Sequence, residues 1–449
     1  MRYYYPNEYK AIFKLGIPIS IGQIGLTLQN LADNIMVGQH STEELAAAGF
    51  VNNMFLMALL LTFGFSIGSV SQIGALFSQG KTSHIVRVFK SSVIVDFLQG
   101  CLMTTCLVLL YFCLPYMGQP DELLPLMKPY LLLQLVSLPI MAVINAFRQL
   151  TDSINDTVVG MMIMLVGNVC NIVLNWLLIF GNWGFPELGI VGAAWATLAS
   201  RVLMLLVYIY VFFFTRRYHK YSKHWHATLI SRKDLVLLNR LGWPISLQMG
   251  MESASFAVVA VFLGWIGTNA LAAHQVMINI ANVLFMTYVG VSNAVAIRVS
   301  NHNGLDNMLA VRHATFAGYE MILALSIILS SVAFIYRHEV SYLFTDNSEV
   351  ASIVATLAYP LVLYQFGDGL QLIFANGLRG LGDVKKLMKY SFVAYVLVSL
   401  PISYILGIWM NWGTFGIWMA FPFGLTLAGL LYIKRFLNVT STQQHSLAL

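Results

Sequence analysis

Five carboxylates, Asp33, Asp96, Glu252, Glu320 and Asp368, interrupt apolar runs long enough to cross a bilayer. An ionised acid at mid-bilayer costs about 3 kcal/mol. Chains keep such residues to bind ions, to move protons or to pair internally. Arg201 is the one basic residue within an apolar run and the one candidate partner. Acids left without a partner can exchange protons near neutral pH or hold Na+ as a counter-ion.

Spacing groups some of these acids with other oxygens. Tyr364 and Asp368 are i and i+4 and share a helix face, and Gln248, Glu252 and Ser255 line another. Asn171 and Asn175 form a third such pair, with Asn168 one turn earlier. A dehydrated Na+ wants several oxygens, which carboxylate, amide and hydroxyl groups supply. The same Asn residues serve equally as hydrogen-bonding glue between helices. Asp96 and Glu320 lack such company, and an interfacial or paired role is expected of each.

Other chemistries find little support. His274 is the clearest histidine within an apolar run, with no second histidine at ligand spacing. No Walker A string occurs, so ATP is not expected as the direct energy source. The four cysteines, Cys101, Cys106, Cys113 and Cys170, sit in apolar runs as small packing residues. No enzyme and no cofactor is expected.

The elements that position the acids are long helices. The chain has 449 residues, 58% of them hydrophobic and 10% charged, against about 25% charged in soluble domains. A span needs about 20 apolar residues. Spans are predicted near 12–35, 46–78, 86–116, 128–148, 158–180, 188–214, 235–265, 269–300, 312–335, 350–380, 387–409 and 412–434. The fold class is thus an all-α membrane protein of twelve transmembrane helices, with membrane lipid as its surroundings. The opening MRYYYPNEYKAIFKLGIPIS has no Ala-x-Ala cleavage site ahead of a soluble domain, so the first helix is expected to stay.

Twelve spans put nearly all Lys and Arg on one side: Arg2, Lys10, Lys14, Lys81, Arg87, Lys90, Arg148, the basic stretch Arg216–Lys233, Arg240, Arg298, Arg312, Arg379, Lys385, Lys386, Lys389, Lys434 and Arg435. The other side holds Lys128 and Arg337 among Glu43, Glu44, Asp121, Glu122, Glu187, Glu339, Asp346 and Glu349. Positive residues stay cytoplasmic, so both termini are expected in the cytoplasm. The net charge of +6 is a topology signal and not one for nucleic acid. Residues 215–234, with His219, His224 and His226, read as a solvated connector facing lipid headgroups.

The halves repeat. LGIPIS at Leu15–Ser20 returns as LGWPIS at Leu241–Ser246, a shift of 226. RQLTD at Arg148–Asp152 matches RGLGD at Arg379–Asp383, and NWG at Asn182 recurs at Asn411. The expected division is an N-lobe over 1–214 (helices 1–6), a cytoplasmic linker over 215–234, a C-lobe over 235–436 (helices 7–12) and a cytoplasmic tail over 437–449. Six spans per half give a parallel repeat with the pathway between two six-helix lobes. Pro18 and Pro244 occupy matched places, each as a fixed kink or as a hinge.

With GIPISIGQ at Gly16–Gln23, GAAWAT at Gly192–Thr197, LAAHQ at Leu271–Gln275 and LRGLGD at Leu378–Asp383, the chain resembles the multidrug and toxic compound extrusion (MATE) family, most closely its NorM-type bacterial branch. The resemblance covers nearly the whole chain. It implies a monomeric secondary antiporter of the bacterial inner membrane that exports small organic cations in exchange for Na+ or H+ by alternating access. Asp33 matches the first-helix acid. Asn171, Asn175 and Thr197 match the groups that complete an N-lobe cation site. Some archaeal members carry a second acid where this chain has Asn175, so the chain departs from a two-carboxylate proton site there. Glu252 matches the seventh-helix acid of the NorM-type branch, and Tyr364 and Asp368 match the tenth-helix pair. Na+ is thus expected at Asp33, Asn171, Asn175 and Thr197, or at Glu252 and Asp368. Gln248, Gln275 and Asn279 are candidates for lining the substrate cleft. On the same scaffold, a dedicated exporter of one endogenous metabolite and coupling to H+ alone stay open.

Overall fold

The computed structural model describes residues 6–116, 120–342, 345 and 347–446. Arg2, Asp346 and the last three residues of the expected tail lie outside the described residues. Twelve helices are long and apolar enough to cross a membrane. They are α1 (Asn7–His40), α2 (Thr42–Ser78), α3 (Thr82–Tyr116), α4 (Leu124–Ser153), α5 (Thr157–Phe180), α6 (Gly189–Phe214), α7 (Arg232–Ile266), α8 (Thr268–Gly304), α9 (Met308–Ile335), α10 (Ser348–Leu381), α11 (Val384–Trp409) and α12 (Gly413–Thr442). Each overlaps one predicted span. Several run to 34–37 residues, about 50–55 Å at the helical rise, so they tilt or project beyond the hydrocarbon core. Many of their large apolar side chains are exposed, Leu28, Leu98, Phe112 and Val169 among them. Such an apolar surface suits lipid and not water.

The repeat seen in the strings recurs in the joints. A single residue separates α1 from α2 (Ser41) and α7 from α8 (Gly267), and the same shift of 226 relates the two. Ser41 caps α2 by accepting from the Glu43 and Glu44 amides. Gly267, at φ 152°, adopts a backbone that only glycine takes readily. RQLTD lies at the end of α4 just ahead of Asn155 (φ 63°), and RGLGD carries α10 into its closing turn at Gly382 (φ 76°). Both NWG strings lie in the turn after the fifth helix of their half.

The chain packs as two units. One holds Ile21–Ser246, and the other holds the chain up to Ser20 and from Leu247 onward. These units of packing do not divide at the 215–234 connector. The cuts fall inside α1 and α7, two residues beyond Pro18 and Pro244, and both helices continue unbroken through their prolines. Two close approaches show why. Gly16 of α1 lies against the Gly290 backbone of α8, where a Cβ on Gly290 would stand 2.4 Å from the Gly16 carbonyl. In the other unit a Cβ on Gly68 of α2 would stand 2.8 Å from the Gly242 amide of α7. Helices in lipid associate through such small-residue contacts because apolar burial gains little there.

The connector is largely exposed, as its charge suggests, but it is also anchored to the bundle. Tyr218 and Tyr221 are 1% and 2% exposed and join an aromatic cluster with Phe89, Phe147, Tyr208 and Phe212. Trp225 packs on the same cluster and lies under the Lys90 ammonium, 4.7 Å away. Asp156 accepts from Tyr218 (2.8 Å) and Arg217 (2.6 Å), Lys90 donates to the Thr228 carbonyl, and Arg87 donates to Asp234 at 2.7 Å. Burial and the Asp156 charge push the Tyr221 phenol up to about 12. Helix α12 belongs to a longer helix that reaches Ser446, so the tail expected from 437 begins as helix.

Candidate functional site

In the unit of Ile21–Ser246, three helices assemble a polar chain inside an apolar bundle. Thr197 of α6 accepts from Asn171 Nδ2 (3.3 Å). Asn171 Oδ1 accepts from Asn175 Nδ2 (3.2 Å), which also donates to Asp33 Oδ1 of α1 (2.5 Å). The expected N-lobe set of Asp33, Asn171, Asn175 and Thr197 is therefore one connected group. Asn171 and Asn175 are wholly buried, and Asp33 is half-buried. Asn175 Oδ1 and both polar atoms of Asn168 are buried with no hydrogen-bond partner. Burying such atoms unpaired is costly. Gln29, one turn before Asp33, lies beside the carboxylate.

Arg201 lies one turn beyond Thr197 on α6. Its Nη1 donates to Gln134 Oε1 (3.3 Å) and to Ser137 Oγ of α4. Its guanidinium covers the Phe55 ring at 5.4 Å and stands within electrostatic reach of Asp33.

In the other unit, Glu252 of α7 accepts from Gln248 Nε2 (3.1 Å), and Gln248 Oε1 accepts from Arg379 Nη2 of α10 (2.5 Å). Asp368 is 1% exposed and its Oδ2 has no partner. Tyr364, one turn earlier, packs against Trp418 and Phe421. Gln371 and Tyr395 approach the Glu252 carboxylate. Tyr395 lies in a π-helical stretch of α11, Phe392–Ser399, a local rewinding common at functional sites. Further buried polar atoms without partners crowd this unit: both Gln365 side-chain atoms, both His274 ring nitrogens, Gln371 Oε1 and Trp418 Nε1.

Arg379 and Arg148, counted toward the cytoplasmic side, lie near the ends of α10 and α4 and are 6% and 5% exposed. Arg379 serves the Glu252 group through Gln248, and Arg148 pairs with Asp152 at 3.8 Å. Gln248, a cleft candidate, is 1% exposed and bridges Arg379 to Glu252. Gln275 and Asn279 are exposed on one face of α8, one turn apart, and take no part in the Glu252–Asp368 group. Pro18 and Pro244 are buried. Asp96 is buried and accepts from Ser92 (3.0 Å). Glu320 is exposed and accepts from Tyr9. Gln29, Gln134, Ser137, Gln371 and Tyr395 were not singled out from the sequence. The three glutamines had a signal, being amides in apolar runs, whereas Tyr395 had none.

Among the described residues no three His, Cys, Asp or Glu side chains converge as metal ligands. The donors are one acid in the first group and two in the second, each set among amides, hydroxyls and one guanidinium within helices of membrane-crossing length. That combination is of the kind a membrane transporter carries. The family model MatE matches residues 18–177 and again residues 244–405, and the chain belongs to that family. Among curated relatives, it is 29% identical to the multidrug resistance protein NorM of Aliivibrio fischeri, over 96% of this chain and 95% of that one. It is 30% identical to NorM of Vibrio parahaemolyticus, over 95% and 94%. The chain is thus of the NorM-type bacterial branch. In fold it matches a crystal structure of a MATE protein in the straight conformation, with a TM-score of 0.89 at 23% identity, over 98% of this chain and 97% of that one.

Proposed function

We propose that this chain is a multidrug efflux antiporter of the bacterial inner membrane, carrying small organic cations outward in exchange for Na+ or H+ by alternating access. The observation that carries the reading is the Asp368 carboxylate. It is buried, it has an oxygen without a partner, and it shares its unit with Glu252 while Arg379 is the basic group in that cluster. Such a group keeps a place for an exchangeable cation. The NorM relatives are named multidrug resistance proteins, which supports the substrate class.

In this reading Asp33, with Asn171, Asn175 and Thr197, holds a cation in the first half. Glu252 and Asp368 hold one in the second, with Tyr364 offering its ring face. The amide oxygens of Asn175 and Asn168 favour Na+ over a bare proton. Six helices per half give the halves one orientation, hence a parallel repeat, with both termini and the connector cytoplasmic by the Lys and Arg distribution. Gln275 and Asn279, exposed on α8, line the substrate cleft.

The test is ethidium export by proteoliposomes under a Na+ gradient alone or a pH gradient alone. Export driven by the Na+ gradient is expected. Export driven only by the pH gradient would reassign the ion to H+, and no export under either gradient would defeat the reading.

A further inference from the structure

The side-chain acceptors on which Arg201 rests are neutral. Gln134 Oε1 and Ser137 Oγ take its Nη1 hydrogens and the Phe55 ring covers its face, while Gln134 in turn donates to Tyr130, which donates to Asn52. Uncharged partners do not cancel a buried charge. The acid in its field is Asp33, and among the described residues no ion pair closer than 4.0 Å joins the two. Arg201 also stands one turn from Thr197, at the far end of the hydrogen-bonded chain that reaches Asp33 through Asn171 and Asn175. The Asp33 group thus carries one acid and one fixed cation, whereas the Glu252 group carries two acids and one arginine.

We propose that Arg201 is a tethered counter-cation of the Asp33 site, which competes with the transported cation for that carboxylate and so sets how readily the site releases it. The inference rests on Asp33 binding a cation, as proposed above. A positive charge within reach of an acid in a low-dielectric interior weakens that acid's hold on any second cation. The Gln134, Ser137 and Phe55 cradle holds the guanidinium near Asp33 without a direct ion pair. When the guest leaves, Arg201 is the charge that remains to balance the acid. Arg201 is therefore a positioning residue for release.

The experiment uses the full-length protein in lipid nanodiscs and measures tetraphenylphosphonium affinity by calorimetry for wild type, R201M, R201Q, R201K, D33N and D33N/R201M. Removing the charge is expected to tighten binding roughly three- to tenfold in R201M and R201Q and to slow export, while R201K stays near wild type. The gain should vanish in D33N/R201M relative to D33N. Unchanged or weaker binding in R201M and R201Q, or a gain that persists without Asp33, would overturn the proposal. R201Q keeps a polar partner for Gln134 and Ser137 and carries the test should R201M fail to assemble. Wild-type protein that binds no cation would count against the proposed function instead.

Discussion

Asp368 and Glu320 are both acids of the same half-chain, yet they sit in opposite surroundings. Asp368 is buried with an unused oxygen, whereas Glu320 is exposed and bonded to Tyr9. Replacing Asp368 with Asn keeps the shape and removes the charge whose burial is costly. D368N should lose at least about tenfold in ethidium efflux from energised cells with membrane abundance unchanged, while E320Q should stay within about twofold of wild type. Wild-type efflux by D368N would remove Asp368 from the coupling site. The acids were legible in the sequence because a carboxylate in an apolar run has few bland explanations. Arg379 was not, since a charge count gives an arginine's side of the membrane and not its partners.

Helices in this molecule are positioned by contacts with little or no side chain. At Gly290 an added side chain would overlap Ser20 and the Gly16 backbone, whereas at Gly49 nothing lies within 4 Å. Overpacking typically costs about 1–3 kcal/mol, and here backbone meets backbone with nowhere to yield. G290L should lower the melting temperature of the detergent-solubilised protein by several degrees or abolish its recovery, and G49A should leave it nearly unchanged. Equal melting of the two variants would deny the Gly16–Gly290 contact its role. Element existence was readable from hydropathy, which marks where the chain leaves water. Hydropathy does not say which helices pack together, so the unit boundaries inside α1 and α7 were invisible. The connector's anchor was hidden for a related reason. Tyr218, Tyr221 and Trp225, at spacings of three and four, form an apolar pattern that the surrounding Lys, Arg and His obscure.

At the scale of the whole chain, the Lys and Arg asymmetry makes a directional claim. Lys223 in the connector and Pro186 between α5 and α6 are both exposed. In a chain whose four cysteines are replaced, a membrane-impermeant maleimide should label Pro186→Cys in intact spheroplasts and Lys223→Cys only after permeabilisation. The reverse pattern would invert the orientation. The repeat was legible because matched strings return in the same order in each half, and the family model falls on both copies.

The shared first helices also bear on how the protein is made. The opening turns of α1 belong with residues from Leu247 onward, and Gly16 in particular rests on Gly290. When the sixth helix leaves the ribosome, that docking surface has not been synthesised, and the start of the chain must wait for α8. The opening turns of α7, by contrast, find α2 already in place through Gly242 and Gly68. Assembly of the two halves is thus ordered, and a gene cut between them would yield two products, each lacking a helix end that only the other carries.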